Sequence, residues 1–197
     1  MRMISDLLTI ALYTVFAQNL VLSSGLGMSE AFRVSTKPGS FGKIAAMISG
    51  FSVVTSVICS SLNTVIGFGK MPFAGKAAVY GGILAAVYIL ICVLLKLIFK
   101  VTDKFLGTLG IAALNTLVFA VPFINESAAY SFADAIGSGL GAGIAFVLAA
   151  ALISKGSAAL EKNENIPEAF KGTPAMLIYV GLLSLAFAGF ADSSLFA

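Results

Sequence analysis

Six long apolar stretches without charged residues dominate this sequence. Each contains no Asp, Glu, Lys or Arg over 19 to 26 residues, and they lie at 7–29, 44–69, 77–95, 105–125, 135–154 and 172–191. A helix needs about 20 predominantly apolar residues to cross the hydrocarbon core of a bilayer. The strands of a membrane barrel would alternate apolar and polar residues, and runs such as GILAAVYILICVLL do not alternate. The sequence therefore predicts an all-α membrane protein with six transmembrane helices.

The composition excludes a soluble enzyme. Charged residues make up 11% of the 197 residues, whereas an ordinary soluble domain carries about 25%. Histidine is absent from the sequence, which excludes imidazole-ligated metals and Ser-His-Asp catalysis within this chain. The 12 basic residues are scattered between apolar runs, so the net charge of +3 does not indicate nucleic acid as a partner. We expect no catalytic residue and no self-contained metal site, with the lipid bilayer as the surroundings of the chain.

Lysine and arginine are distributed unequally between alternate loops. The first, third and fifth loops together hold nine basic residues: Arg33, Lys37, Lys43, Lys96, Lys100, Lys104, Lys155, Lys162 and Lys171. The opposite side of the membrane receives three, namely Arg2, Lys70 and Lys76. Cytoplasmic loops carry the excess of basic residues in membrane proteins. The asymmetry predicts that both termini lie outside the cytoplasm.

Six helices divide into two halves of three, about 1–100 and 101–197, within a single membrane domain 1–197. An odd number of helices per half inserts the two halves with opposite orientation, which is the geometry of an inverted repeat. Polar residues interrupt the first helix around Asn19 and the fourth helix around Asn115. We interpret both as broken helices that place polar groups near the midplane. Hydrogen bonding of these side chains between intact helices is an equally good interpretation of the pattern.

Glycines recur at short spacing in the fifth stretch, in the sequence GSGLGAG at 137–143. A glycine-rich phosphate loop would need a preceding strand, which this helical pattern does not offer. Small residues let the backbones of membrane helices approach closely. The pattern predicts a close helix contact along this segment.

Three strings carry a resemblance to a known family. They are NLVLSSGLGMSEAFRVSTK at 19–37, ALNTLVFAVPFIN at 113–125 and IPEAFKGTPAMLIYVGLLSLAFAGF at 166–190. They resemble the Rnf/Nqr family of integral membrane subunits, most of all its RnfA and NqrE types. The resemblance implies a multi-pass protein of the bacterial or archaeal cytoplasmic membrane, with two inverted three-helix repeats and broken first and fourth helices. It also implies a sister subunit of opposite topology and further redox subunits that carry flavin and iron–sulfur centres.

The family places a two-iron two-sulfur cluster between the sister subunits, with one cysteine from each broken helix. At the positions that match these cysteines, this sequence has Ser29 and Thr116. Its two cysteines, Cys59 and Cys92, lie in the second and third stretches instead. Iron–sulfur clusters are held by thiolates, and a hydroxyl is a poor ligand for a soft site. We therefore expect no normal cluster at Ser29 and Thr116, and no cofactor bound by this chain alone.

The leading hypothesis is a membrane subunit of an ion-translocating electron-transfer complex, diverged at the cluster positions and acting as a non-catalytic or relay subunit. The alternative is the substrate-binding membrane subunit of a vitamin or small-solute importer, which six short-looped helices would also suit. A purely structural subunit is a third possibility. The accompanying subunits distinguish these hypotheses, because an importer requires an ATPase partner.

Overall fold

A computed structural model describes residues 2–36, 38–67 and 71–191. Within these residues the chain forms nine α-helices and no strand. The helices are α1 (Arg2–Phe16), α2 (Leu20–Ser24), α3 (Met28–Ser35), α4 (Phe41–Ile66), α5 (Phe73–Phe99), α6 (Asp103–Ala113), α7 (Thr116–Ser127), α8 (Phe132–Glu161) and α9 (Thr173–Ala191). Short 3₁₀ turns at Pro38–Ser40 and Glu168–Phe170 precede α4 and α9. The prediction of an all-α chain is confirmed.

Five helical segments are long and apolar enough to cross a membrane. They are Phe41–Val65, Phe73–Phe99, Asp103–Ser127, Phe132–Glu161 and Thr173–Phe190, and they correspond to the second to sixth predicted stretches. The first predicted stretch, 7–29, is divided between α1, α2 and the start of α3, so it is not one continuous spanning helix. Lys37, Lys70 and the last two residues of the predicted stretch 44–69 lie outside the described residues.

Helices α4 and α8 contact each other along the centre of the molecule. Helix α1 packs on α8, and α7 packs on α4. A β-carbon added at Gly139 would lie 2.7 Å from the backbone nitrogen of Val53, and one at Gly137 would lie 2.5 Å from the carbonyl oxygen of Leu7. The predicted close packing at 137–143 is confirmed, because only glycine leaves room for the neighbouring backbones.

Helix α5 lies on the outside of this central group. Only 11% of the most apolar 18-residue segment of α5 is buried, although that segment has a mean hydropathy of 2.7. Large side chains such as Ile89, Leu90 and Leu97 are exposed. An apolar surface of this kind is stable in lipid and unstable in water, which agrees with a multi-pass membrane protein.

Candidate functional site: the broken-helix junction

The first break separates α1 from α2 and is organised by Asn19. This side chain is fully buried, and its Oδ1 accepts a hydrogen bond from the backbone N–H of Leu22 at 3.2 Å. Its Nδ2 donates to the carbonyl oxygen of Val15 at 2.9 Å. Asn19 thus caps the start of α2 and also satisfies a carbonyl at the end of α1, which are the backbone groups that a helix break leaves unpaired.

Two glycines end α2 and begin α3. Gly25 and Gly27 have φ values of 69° and 75°, in the left-handed region that L residues with a side chain rarely adopt. The N–H of Gly25 and the N–H of Leu26 both donate to the carbonyl oxygen of Leu20, which closes α2 in the manner of a Schellman turn. The sequence SSGLG therefore turns the chain twice within a few residues, and α3 leaves in a new direction.

The second break separates α6 from α7 and is organised by Asn115. Helix α6 ends with the N–H of Leu114 donating to the carbonyl oxygen of Gly110. The Oδ1 of Asn115 then accepts from the backbone N–H of Leu117 at 2.9 Å and caps α7. Asn19 and Asn115 therefore perform the same local task in the two halves of the chain, each as the N-cap of the helix that follows a break.

The two breaks meet in space, although they are 89 residues apart in the chain. The backbone N–H of Gly27 donates to Oγ1 of Thr116 at 2.9 Å. A β-carbon added at Gly27 would lie 2.9 Å from Oδ1 of Asn115 and 3.2 Å from Cβ of Leu117. We call this meeting point of residues 25–27 and 114–116 the junction. Glycine is required there by its positive φ and also by the closeness of the Asn115 amide.

Of the residues singled out from the sequence, Thr116 lies in the junction. Ser29 lies in the first turn of α3, two residues after Gly27. Both have exposed side chains, whereas Asn19 and Asn115 are buried. Cys59 is buried on α4 in a separate cluster with Tyr80, and Cys92 is half-buried on α5. The two cysteines are both free thiols and are not part of the junction.

Sequence reasoning missed Glu30, which lies immediately after Ser29. Its side chain is 9% exposed, and its Oε1 accepts from Nη2 of Arg33 at 2.6 Å, one turn further along α3. The predicted stretch ended at Ser29 because Glu30 carries a charge. A carboxylate at the first turn of a helix is favoured by the helix dipole, and the i,i+3 arginine compensates its charge. This ion pair therefore stabilises the first turns of α3, the helix that begins directly after the junction.

A second polar group joins α5 to α7 away from the junction. The ammonium group of Lys76 donates to Oε1 of Glu126 at 2.6 Å, and the hydroxyl of Tyr80 donates to Oε2 at 2.9 Å. The Lys76 and Glu126 side chains are 19% and 16% exposed. In the nearby turn before α8, burial raises the pKa of Tyr130, and its neighbours Tyr13 and Asp134 raise it further. Lys76 and Glu126 lie just outside the predicted apolar stretches 77–95 and 105–125, whereas Tyr80 lies within the first of these.

Comparison with known proteins finds similar sequences over nearly the whole chain. The family described as "Rnf-Nqr subunit, membrane protein" matches residues 7–192. The NqrE-type subunit of the Na(+)-translocating NADH-quinone reductase of Hahella chejuensis is 26% identical, with 98% of this chain and 100% of the relative covered. The RnfA-type subunit of the Na(+)-translocating ferredoxin:NAD(+) oxidoreductase complex of Acetobacterium woodii is 28% identical, with 96% and 98% covered.

A third relative is named for a different ion. The RnfA-type subunit of the proton-translocating ferredoxin:NAD(+) oxidoreductase complex of Clostridium ljungdahlii is 30% identical over 93% of this chain and 95% of its own length. The similarity thus extends to both the RnfA type and the NqrE type, as the motifs at 19–37, 113–125 and 166–190 predicted. This chain belongs to the Rnf-Nqr family of membrane subunits.

Proposed function

We propose that this chain is a membrane subunit of an ion-translocating electron-transfer complex in a bacterial or archaeal cytoplasmic membrane. The junction is the observation that carries the proposal. In it, two asparagine-capped helix breaks meet, one from each half of a chain that the family matches over residues 7–192. Its relatives are named as subunits of NADH-quinone and ferredoxin:NAD(+) oxidoreductases. The chain offers packing surfaces and polar breaks instead of catalytic groups, so its role in the complex is that of a scaffold or relay.

The packing supports the inverted-repeat arrangement that forms part of this proposal. Helix α4 is the second long helix of the first half, and α8 is its counterpart in the second half. The broken segment of each half packs on the long helix of the other half: α1, α2 and α3 contact α8, and α6 and α7 contact α4. Such reciprocal contacts are what a pseudo-two-fold axis in the membrane plane would produce. With α1 to α3 counted together as the first of six spans, both termini lie on the same side of the membrane. The excess of basic residues in the alternate loops puts that side outside the cytoplasm.

The proposal includes a departure at the cluster positions. A two-iron two-sulfur cluster requires thiolate ligands, and Ser29 and Thr116 supply only hydroxyls. The Oγ1 of Thr116 already accepts the N–H of Gly27, so this oxygen serves as a link between the two breaks. Cys59 and Cys92 lie on α4 and α5, outside the junction. The residues therefore do not fit the cluster, and we assign electron transfer to cofactors held by other subunits.

The partners follow from the same reasoning. Ser29 and Thr116 are exposed beside the junction, on the surface where the family resemblance places a sister subunit of opposite topology. Flavin-bearing and iron–sulfur subunits complete the proposed complex. The importer alternative gains no support from the relatives named above, which are all subunits of oxidoreductases.

Affinity purification of the tagged chain from its native membrane tests the proposal. We expect a second Rnf-Nqr membrane subunit to co-purify, together with subunits that carry flavin and iron–sulfur absorption. Tagging should be done at the N-terminus and again within the 163–165 turn, so that loss of a partner through the tag is recognised. Recovery of ATPase subunits without any flavoprotein would contradict the proposal and would favour an importer.

A further inference from the structure

A polar cavity lies between α4, α5 and α7, at the end of the molecule where α4 and α7 terminate. It has a volume of about 240 Å³. Its lining includes Ser56, Ser60 and Asn63 from α4, Tyr80 from α5, and Asn125 and Glu126 from α7. A concentration of hydroxyl and amide groups of this kind is unusual in a chain of which 59% is hydrophobic. The cavity is separate from the junction, since the two share no residue.

The most buried hydroxyl and amide groups that line the cavity lack hydrogen-bond partners in the part of the chain that the structure describes. Ser56 is 1% exposed and Asn125 is 4% exposed. Neither the Oγ of Ser56 nor the amide oxygen and nitrogen of Asn125 has a hydrogen-bond partner among the described residues. Buried polar atoms in proteins are nearly always paired with protein groups or with ordered water. Three unpaired atoms facing one polar space therefore point to water as the missing partner.

The same polar pattern continues along α4 beyond the cavity. Ser52 and Thr55 are 0% and 1% exposed, and within the described part of the chain their hydroxyls also have no partner. Residues 52, 56, 60 and 63 are spaced by three or four positions and lie on one face of the helix. At a rise of about 1.5 Å per residue, the distance from Asn63 to Ser56 is about 10 Å, or roughly a third of a 30 Å hydrocarbon core.

Exposure changes systematically from one end of this face to the other. Thr64 and Ala129 are exposed at the rim, Ser60, Asn63 and Glu126 are partly exposed, and Ser56 is buried at the base. Glu126 and Tyr80 line one wall, and Lys76, which does not line the cavity, pairs with Glu126. Because Lys76 compensates Glu126, this wall presents no uncompensated charge to the cavity. The cavity thus opens at the rim and is suited to neutral hydrogen-bonding molecules.

We propose that this cavity is a water-filled inlet, open at the end where α4 terminates, that carries ordered water at least as deep as Ser56. Water would form hydrogen bonds with the Asn125 amide and the Ser56 hydroxyl. It would connect the buried polar face of α4 to the aqueous phase on one side of the membrane only. This inference does not depend on the proposed redox function, since it rests on burial and pairing alone.

X-ray radiolytic footprinting of the intact complex tests for the water. Hydroxyl radicals formed from bound water oxidise aromatic side chains next to it, including buried ones. Tyr80 at the cavity and Phe146 on α8 are matched in burial, with 1% and 0% exposure. We expect Tyr80 to be oxidised at least fivefold faster than Phe146. Equal protection of the two rings would overturn the proposal.

Thiol accessibility tests the opening. In a Cys59→Ala, Cys92→Ala background, Ser56→Cys and Ser60→Cys place near-isosteric thiols along the cavity. Val54→Cys places a thiol at an exposed position of α4 outside the cavity, at similar depth. Val65→Cys, at 82% exposure, marks the face of the membrane at which α4 ends. Labelling after denaturation gives the total thiol and shows that each variant is present.

A membrane-impermeant thiosulfonate is then added to sealed vesicles of each orientation. We expect Ser60→Cys and Ser56→Cys to react from the same face as Val65→Cys, at least tenfold faster than Val54→Cys. Reaction of Ser56→Cys at the rate of Val54→Cys, or from the opposite face, would overturn the inlet.

Discussion

Replacing Gly27 by alanine should destabilise the protein through two separate effects at the junction. The first is the left-handed backbone, since φ is 75° and an L side chain in this region costs about 1–2 kcal/mol. The second is the contact of the new β-carbon with Oδ1 of Asn115, which would be 2.9 Å away. That oxygen cannot move without losing its bond to the N–H of Leu117, and loss of an N-cap costs about 1 kcal/mol.

Gly25 provides a matched control two residues earlier. Its φ is 69°, but a β-carbon there would meet nothing within 4 Å among the described residues. Gly25→Ala should therefore lose only the backbone contribution, whereas Gly27→Ala should lose about 1–2 kcal/mol more. For a chain of this size, 1 kcal/mol corresponds to about 2–4 °C in Tm.

The buried thiol of Cys59 serves as the reporter of unfolding. In a Cys92→Ala background, Cys59 is 2% exposed and should react with a fluorogenic maleimide only when the helices separate. The melting temperatures of Gly25→Ala and Gly27→Ala are compared with and without Asn115→Ala. Removing the amide should reduce the additional loss in Gly27→Ala. Equal melting temperatures for the two glycine variants would rule out the steric contribution of Asn115. The same conclusion would follow if the difference between their melting temperatures were unchanged in the Asn115→Ala background.

Three further changes test other contacts. Gly139→Ala should lower stability by more than about 2 kcal/mol, because its β-carbon would contact the backbone of α4. Gly50→Ala, whose β-carbon would lie in open space on α4, is the control and should be neutral or slightly stabilising in the same melting assay. Glu126→Gln should lower the free energy of unfolding by about 1–3 kcal/mol, because it leaves the Lys76 ammonium without its carboxylate. Adding Lys76→Gln should recover part of this loss in a double-mutant cycle, and strictly additive losses would contradict the prediction. Thr116→Val should cost about 1–2 kcal/mol by leaving the Gly27 N–H unpaired, whereas Thr116→Ser should retain the bond and melt near the parent temperature.

The long helices could be predicted from the sequence because length without charge is a local property. The predicted boundaries are less accurate where a charged side chain has a distant partner. The third stretch began at 77 because Lys76 interrupted it, yet α5 begins at Phe73 and includes Lys76, since Glu126 compensates the charge from 50 residues away. The start of a helix at Asn115 could have been predicted from its residue type, because asparagine is a favoured N-cap.

The site itself depends on contacts that no local pattern contains. The string SSGLG could be interpreted as a break, but Gly27 acquires its role only because Thr116 and Asn115 lie beside it. A break in the first stretch was predicted around Asn19, but the positive φ values at Gly25 and Gly27, which divide the stretch a second time, were not. The cavity at Ser56 and Asn125 was not predicted, since serine and asparagine within apolar stretches are equally common as links between helices.

Measuring the iron bound at the interface between this chain and its sister subunit tests whether Ser29 and Thr116 act as cluster ligands. The complex purified through this chain is compared with the Ser29→Ala, Thr116→Ala double variant by iron content, visible absorption and electron paramagnetic resonance. We predict identical iron stoichiometry and identical two-iron two-sulfur signals in both complexes, at equal subunit composition. Loss of one cluster per complex in the double variant would contradict this prediction, because Ser29 or Thr116 would then be a ligand.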